Sequence, residues 1–268
     1  MIPEIFKMTF MQHAFLAGVM LSMVLAVVSF FVVLRRLSFI GVGVAHSAFG
    51  GVALGALLGI SPTITAVAFA VAVSNAIGYI SRHGKLSADT AIGIFFSLAM
   101  ALGVIFIGLS DKYNIDLFGY LFGNILAITR QDLIVIAVLG GLVLLSTFLL
   151  FKELLFVAFD REVALVSGMP VTFIDHFLLS ILALSVVISI KIVGIVLVSA
   201  LLVIPGAAAM QVTRRYPLMI ATSIAIALTA SIGGLFISYY ADLASGATIV
   251  TMASLLFFGA FVIGRIRK

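Results

Sequence analysis

One histidine lies in the middle of a long uncharged run of the chain. His46 belongs to the stretch RRLSFIGVGVAHSAFGGVALG (residues 35–55), in which two arginines are followed only by uncharged residues. A neutral imidazole is a good ligand for Zn²⁺ and other late divalent ions. A polar group at bilayer depth usually faces the interior of a helix bundle or a water-filled path. His46 is therefore a candidate ligand along a cation path, and the alternative is a hydrogen bond to a serine or carbonyl of a neighbouring helix.

The helical neighbours of His46 offer no second metal ligand. The residues that share its face of a helix are Val42, Gly43, Phe49 and Gly50, none of which is a carboxylate or an imidazole. One imidazole alone cannot hold an ion tightly, but weak coordination suits a permeation path because the ion must also leave. The pattern favours a pathway residue over a tight metal site.

A short polar segment, FDREVALVSGMPV (159–171), predicts a two-turn helix between two apolar runs. Asp160 is a good N-cap, Glu162 falls in the first turn, and Gly168 followed by a proline ends the helix. Ala164 and the neighbouring valines give this helix an apolar side. It either lies among the lipid headgroups or docks into a groove on a cytoplasmic partner.

The segment KIVGIVLVSALLVIPGAAAM (191–210) contains a proline inside an apolar run. Pro205 lacks a backbone donor and can kink a helix. The kink serves either helix packing or a bend near a gate.

Three other polar residues have simpler interpretations. Asn75 lies well inside an apolar run and is expected to hydrogen-bond across helices. Asp175 and His176 lie at the end of a run, where polar residues cost little.

The composition requires a membrane environment for these residues. The chain has 268 residues, of which 64% are hydrophobic and 9% charged, whereas soluble domains carry about 25% charged residues. Long continuous apolar runs predict an all-α integral membrane protein and exclude a transmembrane barrel. The absence of cysteine excludes thiolate metal sites and disulfides. The chain has no Walker-type phosphate loop, HExxH or GxSxG motif, so it is not expected to be an enzyme or to hydrolyse ATP itself.

About twenty apolar residues cross the hydrocarbon core, and nine stretches of the chain reach that length. They are 14–34, 38–59, 62–80, 89–109, 132–151, 171–190, 193–211, 217–239 and 246–264. Because only KIVG separates the sixth from the seventh, the sequence predicts a polytopic bundle of eight or nine transmembrane helices. Residues 1–268 are expected to form a single transmembrane permease domain. The shorter apolar piece from Leu117 to Ile128 is expected to lie at the interface or to re-enter the membrane.

The basic residues predict the orientation of the bundle. Lys and Arg concentrate in cytoplasmic loops, and one set of loops contains most of them. That set comprises Arg35, Arg36, Arg82, Lys85, Lys152, Arg161, Arg214, Arg215, Arg265, Arg267 and Lys268. The opposite loops contain only Lys7, Lys112, Arg130 and Lys191. The larger set is therefore expected in the cytoplasm, and the net charge of +5 reflects this topology rather than nucleic-acid binding.

Several segments together resemble the membrane permease subunit of ATP-binding cassette importers for zinc, manganese or iron. The matching segments, in the family's order, are RRLSFIGVGVAHSAFGGVALG, DTAIGIFFSLAMALGV, YLFGNILAIT..DL, EVALVSGMPV and KIVGIVLVSALLVIPGAAA. They cover nearly the whole chain.

The resemblance implies a multi-pass protein of a prokaryotic cell membrane that works with partners. Two copies would form the translocation path as a homodimer, and two cytoplasmic ATPase subunits would bind the coupling helix from Asp160 to Gly168. An extracellular or periplasmic metal-binding protein would deliver the ion. ATP would be bound by the partner subunits, and this chain would bind no cofactor of its own.

One position departs from the family's pattern. Members commonly show Gly-Asp-x-x-x-His in the second span, with the aspartate and histidine forming a metal-coordinating pair. Here Gly41 and His46 match, but Val42 stands in place of the aspartate. Losing the carboxylate removes the harder ligand, so the remaining nitrogen favours zinc over manganese.

Two other functions stay open at this point. The same architecture could carry chelated iron or haem, although permeases with that cargo are usually longer. An ATP-independent secondary transporter would need coupling carboxylates at mid-membrane and often has inverted repeats, and no clear mid-span carboxylate is present.

Overall fold

The computed structural model describes residues 8–84, 86–110, 123 and 128–266. Within these ranges the chain forms eleven α-helices and no strand, which confirms the all-α expectation. They are α1 (Thr9–Leu34), α2 (Ser38–Leu58), α3 (Pro62–His83), α4 (Ala88–Gly108), α5 (Arg130–Leu149), α6 (Phe151–Phe159), α7 (Arg161–Val166), α8 (Val171–Leu201), α9 (Ile204–Val212), α10 (Tyr216–Ala241) and α11 (Ser245–Ile266). The apolar piece from Leu117 to Ile128 lies outside the described residues, apart from Gly123 and Ile128.

Nine stretches of the described chain are long and apolar enough to cross a membrane, which confirms the predicted eight or nine spans. The sixth and seventh are Val171–Ile190 and Val193–Val212. They are joined without a loop, at a kink where Gly194 has φ 81° and ψ 162°. Only glycine adopts this left-handed backbone without strain, so the KIVG sequence that separates the two predicted spans contains the residue that permits the turn.

The chain reverses direction at this kink. Ile188 and Ile195, on either side of it, line one cavity with Asp132 at the start of α5. Asp175, before the kink, is ion-paired to Arg35 at the end of α1. After the kink, Gly206 donates its backbone N–H to Ser29 Oγ, near the same end of α1, at 2.9 Å. Both ends of the reversal therefore lie on one side of the bundle. We call it the basic side, because Arg35, Arg82 and Arg161 lie there.

The helices divide into a buried inner set and an outer set. Two-thirds or more of the spanning windows of α1, α2 and the first part of α8 are buried, against about a fifth for α4, α5 and α11. The outer helices expose large apolar side chains such as Phe148 and Phe258. In a bilayer these faces contact lipid tails, and the inner helices form the core.

Small residues allow the inner helices to approach closely. A Cβ on Gly51 of α2 would lie 2.7 Å from Ala66 Cα and 2.8 Å from Thr65 O, both backbone atoms of α3. On the next residue, Gly50, a Cβ would lie 2.7 Å from Ala99 O of α4. Close packing of small faces is the main source of helix association in lipid, and here it clamps α2 between α3 and α4.

We expect Gly51→Ala to destabilise the bundle, because the new methyl group meets backbone atoms that cannot rotate away. Overpacking of this kind costs on the order of 1–3 kcal/mol. Thermal unfolding of the detergent-solubilised protein measures the effect. The matched control is Gly93→Ala in α4, where an added Cβ meets nothing within 4 Å. Equal melting temperatures for the two variants would contradict the close approach of α2 and α3.

Candidate functional site

His46 lies on the inner helix α2, half-buried against α4. Its Nδ1 is 2.9 Å from the carbonyl oxygen of Val42, one turn earlier, and its ring meets the ring of Phe96 edge-on with centroids 4.8 Å apart. A carbonyl oxygen only accepts hydrogen bonds, so Nδ1 carries the proton and Nε2 of the neutral ring carries a free lone pair. Metal-bound histidines commonly have this arrangement, in which one ring nitrogen donates to a carbonyl and the other coordinates.

The surroundings of His46 supply no further strong ligand among the described residues. No group of three or more His, Asp or Glu side chains that could hold a metal occurs in that part of the chain. The adjacent Ser47 is buried and donates its hydroxyl to Gly43 O at 2.7 Å. The geometry thus presents one oriented nitrogen rather than a complete coordination sphere.

An apolar cavity of about 330 Å³ opens one turn along α2 from His46, lined by Phe49, Val52 and side chains of α3, α5 and α8. Its one carboxylate is Asp132. That side chain already accepts from the backbone N–H of Thr129 at 3.0 Å in a capping box at the start of α5. With a mostly apolar lining and one carboxylate that is engaged in a cap, this cavity does not form a metal site.

The polar segment after α6 forms the expected short helix, α7. Asp160 Oδ1 accepts from the N–H groups of Glu162 and Val163 at 3.1 and 3.0 Å, as predicted for an N-cap. The helix ends in a Schellman arrangement: Met169 N–H donates to Ala164 O at 3.1 Å, and Gly168 N–H to Leu165 O at 3.0 Å. Gly168 takes φ 78° there, a conformation that favours glycine.

The two sides of α7 face different surroundings. Ala164 is fully buried, whereas Val166 is 90% exposed and Val163 and Leu165 are about half exposed. The expected apolar side is therefore divided: one alanine attaches α7 to the bundle, and three larger apolar side chains point away from it. Glu162 is exposed beside them.

Pro205 does not kink the middle of a helix. It lies in the first turn of α9, after α8 has ended at Leu201, and proline is well tolerated at such a position because the first N–H groups of a helix lack intrahelical partners. The adjacent Gly206 packs on α1, where a Cβ would lie 2.7 Å from Ser29 O. The bend thus comes from the break before Pro205.

Asp175 is the main functional candidate that the sequence interpretation missed. It is 4% exposed, and three arginines from three other segments are paired with it. Arg35 contacts Oδ1, while Arg82 and Arg161 contact Oδ2 at 2.7 and 3.3 Å. The concentration of arginines in separate loops on one side indicates that a carboxylate near these loops could pair with several of them. The sequence does not show which loops meet.

A second polar network lies beside this cluster and joins α3 to α8. Asn75 donates to Ser180 Oγ at 3.0 Å and accepts from His176 Nδ1 at 2.6 Å, which confirms its expected bonding across helices. Arg82 Nη2 lies 3.5 Å from His176 Nε2. His176 therefore links the network to the arginine cluster rather than simply ending a span.

The described part of the chain is thus an all-helical bundle with nine candidate spans, an inner helix that carries His46 and a short surface helix, an architecture compatible with a membrane permease. The chain belongs to the ABC 3 transport family, whose profile matches residues 7–264. It is therefore the permease subunit of a metal importer of the ATP-binding cassette class and a multi-pass protein of a prokaryotic cell membrane. It is a transporter subunit rather than an enzyme, and the alternative of an ATP-independent secondary transporter is wrong.

Individual relatives cover almost the full length of the chain. The manganese transport system membrane protein MntC of Halalkalibacterium halodurans is 37% identical over 96% of this chain and 88% of its own length. The high-affinity zinc uptake system membrane protein ZnuB of Haemophilus influenzae is 35% identical over 91% of this chain and 94% of its own. Among solved structures, PsaBC from Streptococcus pneumoniae in complex with Fab matches with a TM-score of 0.87 at 36% identity, covering 97% of this chain and 95% of the matched chain.

We expect Asp160→Ala to fray α7, because the first amides of the helix lose their acceptor. Loss of an N-cap costs about 0.5–2 kcal/mol, which is large for a helix of six residues. Hydrogen exchange at Glu162 and Val163 measures the opening. Asp160→Asn retains an acceptor oxygen and should preserve protection, so faster exchange in both variants would contradict the capping role.

Proposed function

We propose that residues 1–268 form one permease domain and that two copies enclose a path for a divalent transition-metal ion. The arrangement of His46 carries this proposal. Its Nδ1–H is held by Val42 O at 2.9 Å, so Nε2 is oriented as a donor atom, and the described residues hold no group of three or more ligands that would bind the ion tightly. In a homodimer the path would gain one such nitrogen from each copy, which suits transient coordination of an ion in transit.

The energy comes from outside this chain in our proposal. Cytoplasmic ATP-binding cassette subunits bind ATP and dock on α7, where Val163, Leu165 and Val166 present apolar surface beside Glu162. Docking of a short apolar helix face into a groove is a common mode of recognition. A metal-binding protein on the other side of the membrane delivers the ion.

Zinc is the cargo that the chemistry of the path favours. Imidazole nitrogen binds zinc more strongly than manganese, whereas manganese prefers carboxylate and other oxygen ligands, and Val42 occupies the position at which the family commonly has aspartate. Manganese is the second candidate, because MntC, a relative with manganese in its name, is as similar to the chain as ZnuB is.

ATP-dependent uptake by the reconstituted complex, with zinc, manganese and iron in competition, tests this proposal. We expect zinc to be taken up in preference, and His46→Ala to lower its uptake by roughly tenfold or more, the scale of loss seen when even an outer partner of a metal ligand is removed. His83→Ala, an exposed histidine on α3, is the control and should leave uptake unchanged. Normal uptake by His46→Ala would return His46 to a packing role, and uptake confined to chelated iron or haem would contradict a free-ion path.

Restoring the missing carboxylate should change the choice of metal. Val42 is one helical turn before His46, so Val42→Asp places an oxygen ligand on the same face of α2. We expect the ratio of manganese to zinc uptake to rise, because a carboxylate is the harder ligand. Val42→Asn has a similar shape without the charge and serves as the control. An unchanged ratio in Val42→Asp, with normal assembly, would contradict a path that passes this face of α2.

A further inference from the structure

Asp175 lies where four segments of the bundle meet on the basic side. It is in the first turn and a half of α8, and its carboxylate binds Arg35 after α1, Arg82 in the last turn of α3 and Arg161 at the start of α7. These are the ion pairs found in the part of the chain that the structure describes, and all of them converge on one carboxylate. Removing that carboxylate would leave three guanidinium groups close together without a counterion.

The three pairs differ in how firmly they are held. The side chains of Arg35 and Arg82 are 15% and 17% exposed, whereas that of Arg161 is 46% exposed. Arg161 also makes the longest contact, at 3.3 Å. A buried pair is weakly screened by water and salt, and an exposed one is strongly screened. Asp175 is thus bound tightly to the ends of α1 and α3, and more loosely to α7.

Few contacts other than the Arg161 pair hold α7 against the bundle. The helix has six residues, too few to be stable without tertiary contacts. Of its side chains, Ala164 alone is buried. Apart from its chain links to α6 and α8, the position of α7 relative to the membrane helices therefore rests on the burial of Ala164 and on the Arg161–Asp175 pair.

Arg35 connects this cluster to the helix that contains His46. It begins a tight turn between α1 and α2, in which Arg36 has φ 56° and Leu37 N–H donates to Val32 O at 2.8 Å. Ser38, the first residue of α2, follows directly, and His46 lies eight residues further, about 12 Å along the helix. A shift of Arg35 would therefore move the base of α2.

We propose that Asp175 is a positioning residue that fixes α7 to the bases of α1, α2 and α3 and transmits displacement of α7 to the helix carrying His46. The transmission rests on the proposed docking of ATPase subunits on α7. The attachment of α7 to the bundle is independent of that docking, and it can be tested on the permease alone.

The first test measures the attachment of α7 in the full chain. The chain contains no cysteine, so a single cysteine at the exposed Val166 can be spin-labelled specifically in nanodiscs. We expect Arg161→Ala and Asp175→Asn to narrow the lines of the label's electron paramagnetic resonance spectrum, because the label moves faster as α7 loosens. Arg161→Lys retains a cation and should give the line width of the unsubstituted protein. Arg215→Ala removes an exposed arginine outside the cluster and should change nothing. An unchanged spectrum in Arg161→Ala would overturn the proposal.

The second test measures coupling in the complex with its ATPase subunits. We expect Arg161→Ala to lower the number of metal ions taken up per ATP hydrolysed by about fivefold or more, the lower range of typical coupling energies, while ATP hydrolysis continues. A merely structural role would lower uptake and hydrolysis in proportion, which leaves the number of ions per ATP unchanged. An unchanged number of ions per ATP would therefore overturn the proposal that Asp175 transmits the displacement of α7. Absence of ATP-driven uptake in the wild-type complex would instead refute the proposed function, and the spin-label result would still decide the attachment of α7.

Discussion

The hydrocarbon core of a bilayer offers no water, so every polar group inside it must find a partner within the protein. The inner helices meet this requirement partly through their own backbone and partly through bonds to other helices, such as that of Ser22 to Ala227 O. Ser47, Ser185 and Ser189 each donate to the carbonyl four residues earlier, at 2.7 Å. His46 does the same with one of its two ring nitrogens. Each serine uses its only proton in such a bond and retains just weakly basic oxygen lone pairs, whereas the neutral imidazole of His46 retains a nitrogen lone pair on Nε2.

The same constraint explains where charge is placed. The described ion pairs lie at the basic side, at the ends of the helices, and none crosses the middle of a span in that part of the chain. Charged side chains are costly at mid-bilayer but can be partly buried near the ends of spans, where they remain close to water. The arginine cluster therefore places its charges at the ends of the helices and not in the middle of the spans.

Much of this architecture was predictable from local patterns. Twenty apolar residues predict a span wherever they occur, and Asp160, Gly168 and the intervening residues predict α7 because capping depends on near neighbours in sequence. Asp175 could not be interpreted in this way, since its three arginines lie 140, 93 and 14 residues away. The sequence also does not show that the bend precedes Pro205. A proline at the start of a helix and one in its middle differ only in where the preceding helix ends. The proposed preference for zinc rests on Val42, a residue whose importance comes from the resemblance to the family rather than from its own chemistry.

The turn at Gly194 also has a consequence for how the protein is made. Only Lys191 and Ile192 separate the spans Val171–Ile190 and Val193–Val212, so there is no polar loop of any length to be carried across the membrane separately. A lone apolar span can be threaded into lipid by itself, whereas two spans joined by so short a link are expected to enter together as a hairpin. Biogenesis of this half of the protein is thus expected to proceed by paired insertion, with the bend already formed when the segment leaves the insertion machinery.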